Sequence, residues 1–125
     1  MRNTDLYGDG AIVLVPLPGH TPGSMGTFVN LPNLRVFHLG DATSSYEAIA
    51  KRRGKSFGLA ITDHDGDEAD RTLAKIAQLH ALEPNLVLLP AHDRRSWRGL
   101  FGAAGHCYPS AGRGEPTDGA RGSAR

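Results

Sequence analysis

The chain has 125 residues, 39% of them hydrophobic and 22% charged, with a formal net charge of +1. That length suits one domain with a real core, and the near-neutral charge leaves no electrostatic footprint for nucleic acid or an anionic membrane surface. The single cysteine, Cys107, excludes an internal disulfide framework and cysteine-rich zinc folds. No apolar run nears the roughly 18 residues of a membrane span, and Met1 to Asp5 lacks the apolar core of a signal peptide, so the expected location is the cytoplasm.

Ala11 to Leu17 is a β-rich, almost continuously apolar run, as in a strand covered on both faces. Asp9-Gly10 ahead of it is a hairpin-type turn signal. A Pro/Gly-rich loop, residues 18 to 24, ends the run. Met25 to Val29 reads as a second strand, Leu31-Pro32-Asn33 as a turn, and Arg35 to Leu39 as a third strand that delivers Gly40-Asp41. Ser44 or Ser45 caps a short helix through about Arg53, and Arg52-Arg53-Gly54-Lys55 reads as a solvated basic loop. The longest helix runs from Asp67 to Leu82. Ala69, Leu73, Ile76, Ala77 and His80 follow the spacing of one buried face, and Asp65 or Asp67 caps its acidic start. Leu86 to Leu89 is a final strand, and Trp97, Leu100 and Phe101 mark one more amphipathic turn. From about Ala103 the large apolar side chains run out. The expectation is therefore a folded unit over 1–102 and a disordered Gly/Pro/Arg-rich tail over 103–125.

Three motifs place a candidate metal ligand just after an apolar run. They are Pro18-Gly19-His20-Thr21-Pro22-Gly23-Ser24, Leu39-Gly40-Asp41 and Leu89-Pro90-Ala91-His92-Asp93. Two imidazoles and a carboxylate suit a zinc-type ion of borderline softness. Glycines on both sides of His20 permit a sharp turn, and the prolines stiffen the loop that aims it. Asp41 on its own reads as a turn residue; between the two histidines it is a candidate bridging carboxylate. Asp93 is the candidate acceptor that orients the His92 ring, and His38 lies in the third strand beside the same site. His80 reads as a packing residue and His106 as part of the tail. Asp63-His64-Asp65-Gly66-Asp67 has its glycine misplaced for an EF-hand and reads as a helix-capping turn. Ser24 has no base partner in the sequence, and there is neither a Gly-x-Ser-x-Gly elbow nor a phosphate loop.

Taken together, and with Asp5-Leu6-Tyr7-Gly8-Asp9-Gly10 ahead of the first strand, these motifs resemble the second half of the metallo-β-lactamase superfamily of metallohydrolases. The pattern is nearest the lactonase and general hydrolase branch. The resemblance spans about Asp5 to Trp97. It implies an α/β fold (α+β in some schemes): half of a four-layer αββα sandwich, with a mixed β-sheet and flanking helices. It further implies that His20 binds a first metal, that Asp41 bridges, and that His92 binds a second. The metals would be zinc, or iron or manganese, and the substrate of the complete protein a small molecule. The first-half signature His-x-His-x-Asp-His is absent, and with it the water-activating aspartate, so no catalytic residue is assigned. Ser44 stands where quorum-quenching lactonases carry a tyrosine, and Tyr46 lies two residues further on. Three readings follow. The chain is one half of a metallohydrolase; or it is a non-catalytic module whose bare sheet face meets a second copy or a separate first half; or its three ligands hold a single zinc.

Overall fold

The computed structural model describes residues 2–51 and 62–102. The basic loop at Arg52 to Lys55 and the tail with His106 and Cys107 lie outside the described residues.

Five strands form one sheet in the order β1-β2-β3-β4-β5: Thr4–Asp5, Ile12–Pro16, Met25–Leu31, Leu34–His38 and Val87–Leu89. The first four are antiparallel, and β5 joins β4 in parallel. Parallel pairing needs a crossover, which among the described residues includes the helices α1 (Tyr46–Ala50) and α2 (Gly66–Leu82); β5 is followed by a helix α3 (Arg94–Phe101). The sheet is therefore mixed and helix-flanked, as expected. Strand ends differ from the sequence reading by one or two residues, and β3 runs on to Leu31. The short β1 has no apolar signature. It forms because the Asp5 carboxylate accepts the N–H groups of Tyr7, Gly8 and Gly10, which folds the connection back onto β2.

Side chains alternate across a strand, so the register assigns two faces. Val13, Phe28, Phe37 and Leu88 lie in one row. This face meets α1 and α2, with Leu17, Phe37, Leu39, Ile49, Leu73, Ile76 and Leu88 at the centre of the core. Gly26 is required there, since a Cβ would lie 2.6 Å from both Leu17 and Phe37. The opposite face carries the row Ile12, Val29, Val36 and Val87, and beside it Leu14, Thr27, His38 and Leu89. Trp97 of α3 covers its His38 end, edge to ring at 5.9 Å, while its indole N–H donates to the Pro90 carbonyl. Ile12, Val29 and Val87 remain half-buried around a buried Val36.

Both predicted caps form. The Ser45 hydroxyl accepts Ala48 N–H at the start of α1, and the Asp65 carboxylate accepts Glu68 N–H at the start of α2. Each satisfies a helix-end donor that would otherwise lack a partner.

Candidate metal centre

His20, Asp41 and His92 leave the sheet at one end, after β2, β4 and β5. The loop carrying His20 is held by α2. The carbonyl of Pro18 accepts from buried Thr72 Oγ1 at 2.7 Å, that of Gly19 from Asp65 N–H at 3.0 Å, and that of His20 from His64 N–H at 3.0 Å. Gly19 has φ +130°, and a Cβ there would come within 2.4 Å of the Ala69 backbone. Only glycine allows helix and loop to pack this closely. Ser24 closes the same loop. Its Oγ accepts Thr21 N–H at 3.1 Å and shares a hydrogen bond with Thr21 Oγ1, so this hydroxyl acts in the loop's structure.

The Asp41 and His92 loops are stitched to each other. Gly40, at φ +54°, gives its carbonyl to Ala91 N–H at 3.1 Å. His38 supports this turn through Nδ1, which accepts Gly40 N–H at 3.4 Å. His38 therefore acts on the carrier of Asp41, one step removed from the candidate ligands.

Each imidazole faces a different oxygen of Asp41. His92 Nε2 lies 3.0 Å from Oδ1, and His20 Nε2 lies 4.0 Å from Oδ2. Oδ1 is buried and has no hydrogen-bond partner; the approach of His92 is close but misaligned for a hydrogen bond. On its other side, His20 Nδ1 is 2.9 Å from Oδ1 of Asp63, whose side chain is only 4% exposed. A carboxylate only accepts, so Nδ1 carries the proton and, in the neutral ring, Nε2 presents its lone pair. This carboxylate–imidazole pairing is the arrangement that orients a metal-binding histidine and raises its basicity.

Asp63 was not among the sequence candidates. It sits 43 residues from His20, and its neighbours read as a capping turn. The available signal was that either Asp65 or Asp67 suffices to cap α2, so the cap did not need Asp63.

The hydrogen bonds of Asp93 lie elsewhere than on the His92 ring. Its carboxylate is the N-cap of α3, accepting Arg95 N–H, Ser96 N–H and Ser96 Oγ–H, and it also accepts Tyr46 N–H at 2.8 Å. With this many donors it acts as a helix cap and a tie to α1, where the sequence placed it behind the His92 ring. Burial pushes its pKa up, but the hydrogen bonds from Tyr46, Ser96 and Arg95 outweigh that and hold it below its ordinary value. His80 does more than pack: its Nε2 shares a 2.8 Å hydrogen bond with the Tyr46 hydroxyl.

The donor chemistry of His20, Asp41 and His92 fits a cation. Metal bonds to nitrogen and oxygen are about 2.0–2.2 Å, so two donors of one ion sit within about 4.2 Å of each other. Both imidazole–carboxylate pairs meet that limit, and the orphaned Oδ1 is an acceptor awaiting a positive partner. The ligand count is short. Among the described residues no three His, Cys, Asp or Glu side chains converge as a ready-made metal site. The trio is arranged as two pairs sharing a carboxylate, which suits a bridging role better than one ion held by all three.

No family profile matches the chain. Two curated relatives, each called "Probable metallo-hydrolase", come from Mycobacterium bovis and Mycobacterium tuberculosis. Both are 31% identical over 94 residues, covering 71% of this chain and 30% of their own length. Among solved structures, an N-acyl homoserine lactone hydrolase with its product N-hexanoyl-L-homoserine bound at the catalytic metal centre superposes with a TM-score of 0.59 at 17% identity, over 78% of this chain and 36% of that one. A dizinc quorum-quenching lactonase superposes with a TM-score of 0.56 at 22% identity, over 73% and 29%. Over the part that superposes, the chain has the metallo-β-lactamase fold of these structures. It spans about a third of the length of the relatives it matches. No helix among the described residues is long and apolar enough to cross a membrane.

Proposed function

We propose that this chain supplies one side of a dinuclear metallohydrolase centre that cleaves an ester, lactone or similar bond in a small molecule. Zinc is the favoured metal. His20 would hold one ion, His92 the other, and Asp41 would bridge them. The observation that carries this reading is the shared carboxylate, with each imidazole facing its own oxygen and one oxygen buried without a hydrogen bond. When bound, the ions would supply Lewis acidity and lower the pKa of a water at the site. The chain's own residues do the positioning. Asp63 accepts a hydrogen bond from His20 Nδ1–H and so fixes its tautomer, while Gly40 and His38 set the turn that presents Asp41. The remaining ligands would come from the part of the fold that lies outside the matched third.

Zinc uptake tests this directly. Equilibrium dialysis of the 125-residue chain is expected to show weak binding, lost in His20→Ala and reduced in His92→Ala. Uptake that neither substitution changes would sink the proposal.

A second reading rests on the sheet face away from α1 and α2. Its row of Ile12, Val29, Val36 and Val87 is apolar and only partly covered, and such a face is an association surface. On this reading the chain is a module that meets a second sheet, in a homodimer or a separate first half. Sedimentation that gives the monomer mass at all concentrations would count against the homodimer.

A further inference from the structure

A cleft of about 620 Å³ opens beside His92 between α1 and α3, with Ser45, Tyr46, His92, Arg94, Arg95 and Ser96 on its walls. Its volume suits a metabolite-sized ligand. Its two acids are already engaged. Glu47 pairs with Lys51 in the next turn of α1, and the Asp93 carboxylate is filled by the donors from Tyr46, Arg95 and Ser96. The two guanidiniums are not engaged in this way. Among the described residues neither Arg94 nor Arg95 has an ion pair. With Glu47 offset by Lys51 and the Asp93 carboxylate turned to its own donors, the wall carries two unpaired guanidiniums and one net positive charge, beside hydroxyls and a candidate metal ligand.

The geometry points to an anion subsite: Arg94 and Arg95 receive a carboxylate or phosphate group of the substrate while its scissile bond lies towards His92. Arginine suits this task because its planar fork matches the paired oxygens of such groups. The N-terminus of α3 is not the anion receptor, since Asp93 caps it. The inference rests on the metallohydrolase reading for its orientation, and it narrows the substrate to small acidic esters or lactones.

The test is an amide chemical-shift titration of the full chain. Its probes are monomethyl succinate, its neutral twin dimethyl succinate, and inorganic phosphate. Monomethyl succinate or phosphate is expected to move the amides of Ser45, Tyr46 and residues 94–96, and dimethyl succinate to leave them in place. Whichever of the two anions binds more tightly identifies the group as carboxylate or phosphate. The Arg94→Gln/Arg95→Gln double variant should bind about tenfold or more weakly, and Arg94→Lys/Arg95→Lys should fall between, keeping charge without the fork. Added salt should weaken binding by screening. Equal binding of the neutral ester, no shift with either anion, or an unchanged double variant would overturn the inference. Repeating the titration with zinc separates it from its parent. Anion binding without zinc uptake removes the metal reading and keeps the cleft. Zinc uptake sensitive to His20 but with no anion response does the reverse.

Discussion

His20 and His92 are alike in the sequence, each in a Pro-containing loop after a strand, but the structure holds them very differently. The His20 side chain is 24% exposed, backed by the buried Asp63 carboxylate, in a loop whose carbonyls at 18, 19 and 20 all accept from α2 and the turn before it. The His92 side chain is 78% exposed, and its neighbour Asp93 is committed to α3 and Tyr46. A ligand works when its rotamer is locked by packing and hydrogen bonds behind it. The difference teaches that this chain holds one imidazole in place from behind and leaves the other with far less support.

The most severe way to break that asymmetry is Gly19→Val. A side chain at φ +130° is strained, and its Cβ would meet the Ala69 backbone. Strain and overpacking together are expected to cost about 3 kcal/mol or more. Urea denaturation should show a large drop in midpoint, together with loss of the slowly exchanging amides of His64 and Asp65. A near-wild-type midpoint would mean that the loop does not pack on α2 as described.

A gentler change touches only the ring. Asp63→Asn keeps the volume and removes the acceptor that fixes the His20 tautomer. Removing such a partner typically costs about 10–100-fold in metal affinity, so zinc uptake should weaken by that order while the melting temperature moves less than in Gly19→Val. If affinity falls no further than in a His92 loop variant such as Ala91→Gly, the two imidazoles are equally ordered and the comparison fails. Thr72→Val is smaller again. It leaves the Pro18 carbonyl without its 2.7 Å donor in a buried setting, which is expected to cost about 1–2 kcal/mol. Its effect on zinc binding should follow stability alone.

The fold was readable because its signals are local. The Asp67 to Leu82 periodicity, the caps at Ser45 and Asp65, and the apolar runs each act over a few residues, and all appear in the structure with small shifts in boundary. The convergence of His20, Asp41 and His92 was readable because Gly-His-Thr-Pro-Gly is a specific loop and the other two motifs stand in order after it. What was not readable depends on contacts distant in the chain. Asp63 meets His20 only because α2 docks on Gly19. The hydrogen bonds of Asp93 depend on α1 and α3 arriving on either side of it. No spacing rule encodes such pairings.

Asp93 also supplies the mildest test of the comparison, through pH. Its folded-state pKa lies below the ordinary value because the donors from Tyr46, Ser96 and Arg95 outweigh its burial. A depressed carboxylate contributes stability that is present above its unfolded pKa and lost as pH falls through the folded one. Asp93→Asn retains a good capping residue but removes the charge. The wild type should therefore be modestly more stable than the variant at neutral pH, by a constant margin, and that margin should shrink below about pH 4. Residue 93 carries no metal role on this account, so zinc uptake should be the same in both proteins at neutral pH. A variant that loses zinc affinity as strongly as Asp63→Asn would restore Asp93 as the partner of the His92 ring and make the two loops equivalent after all.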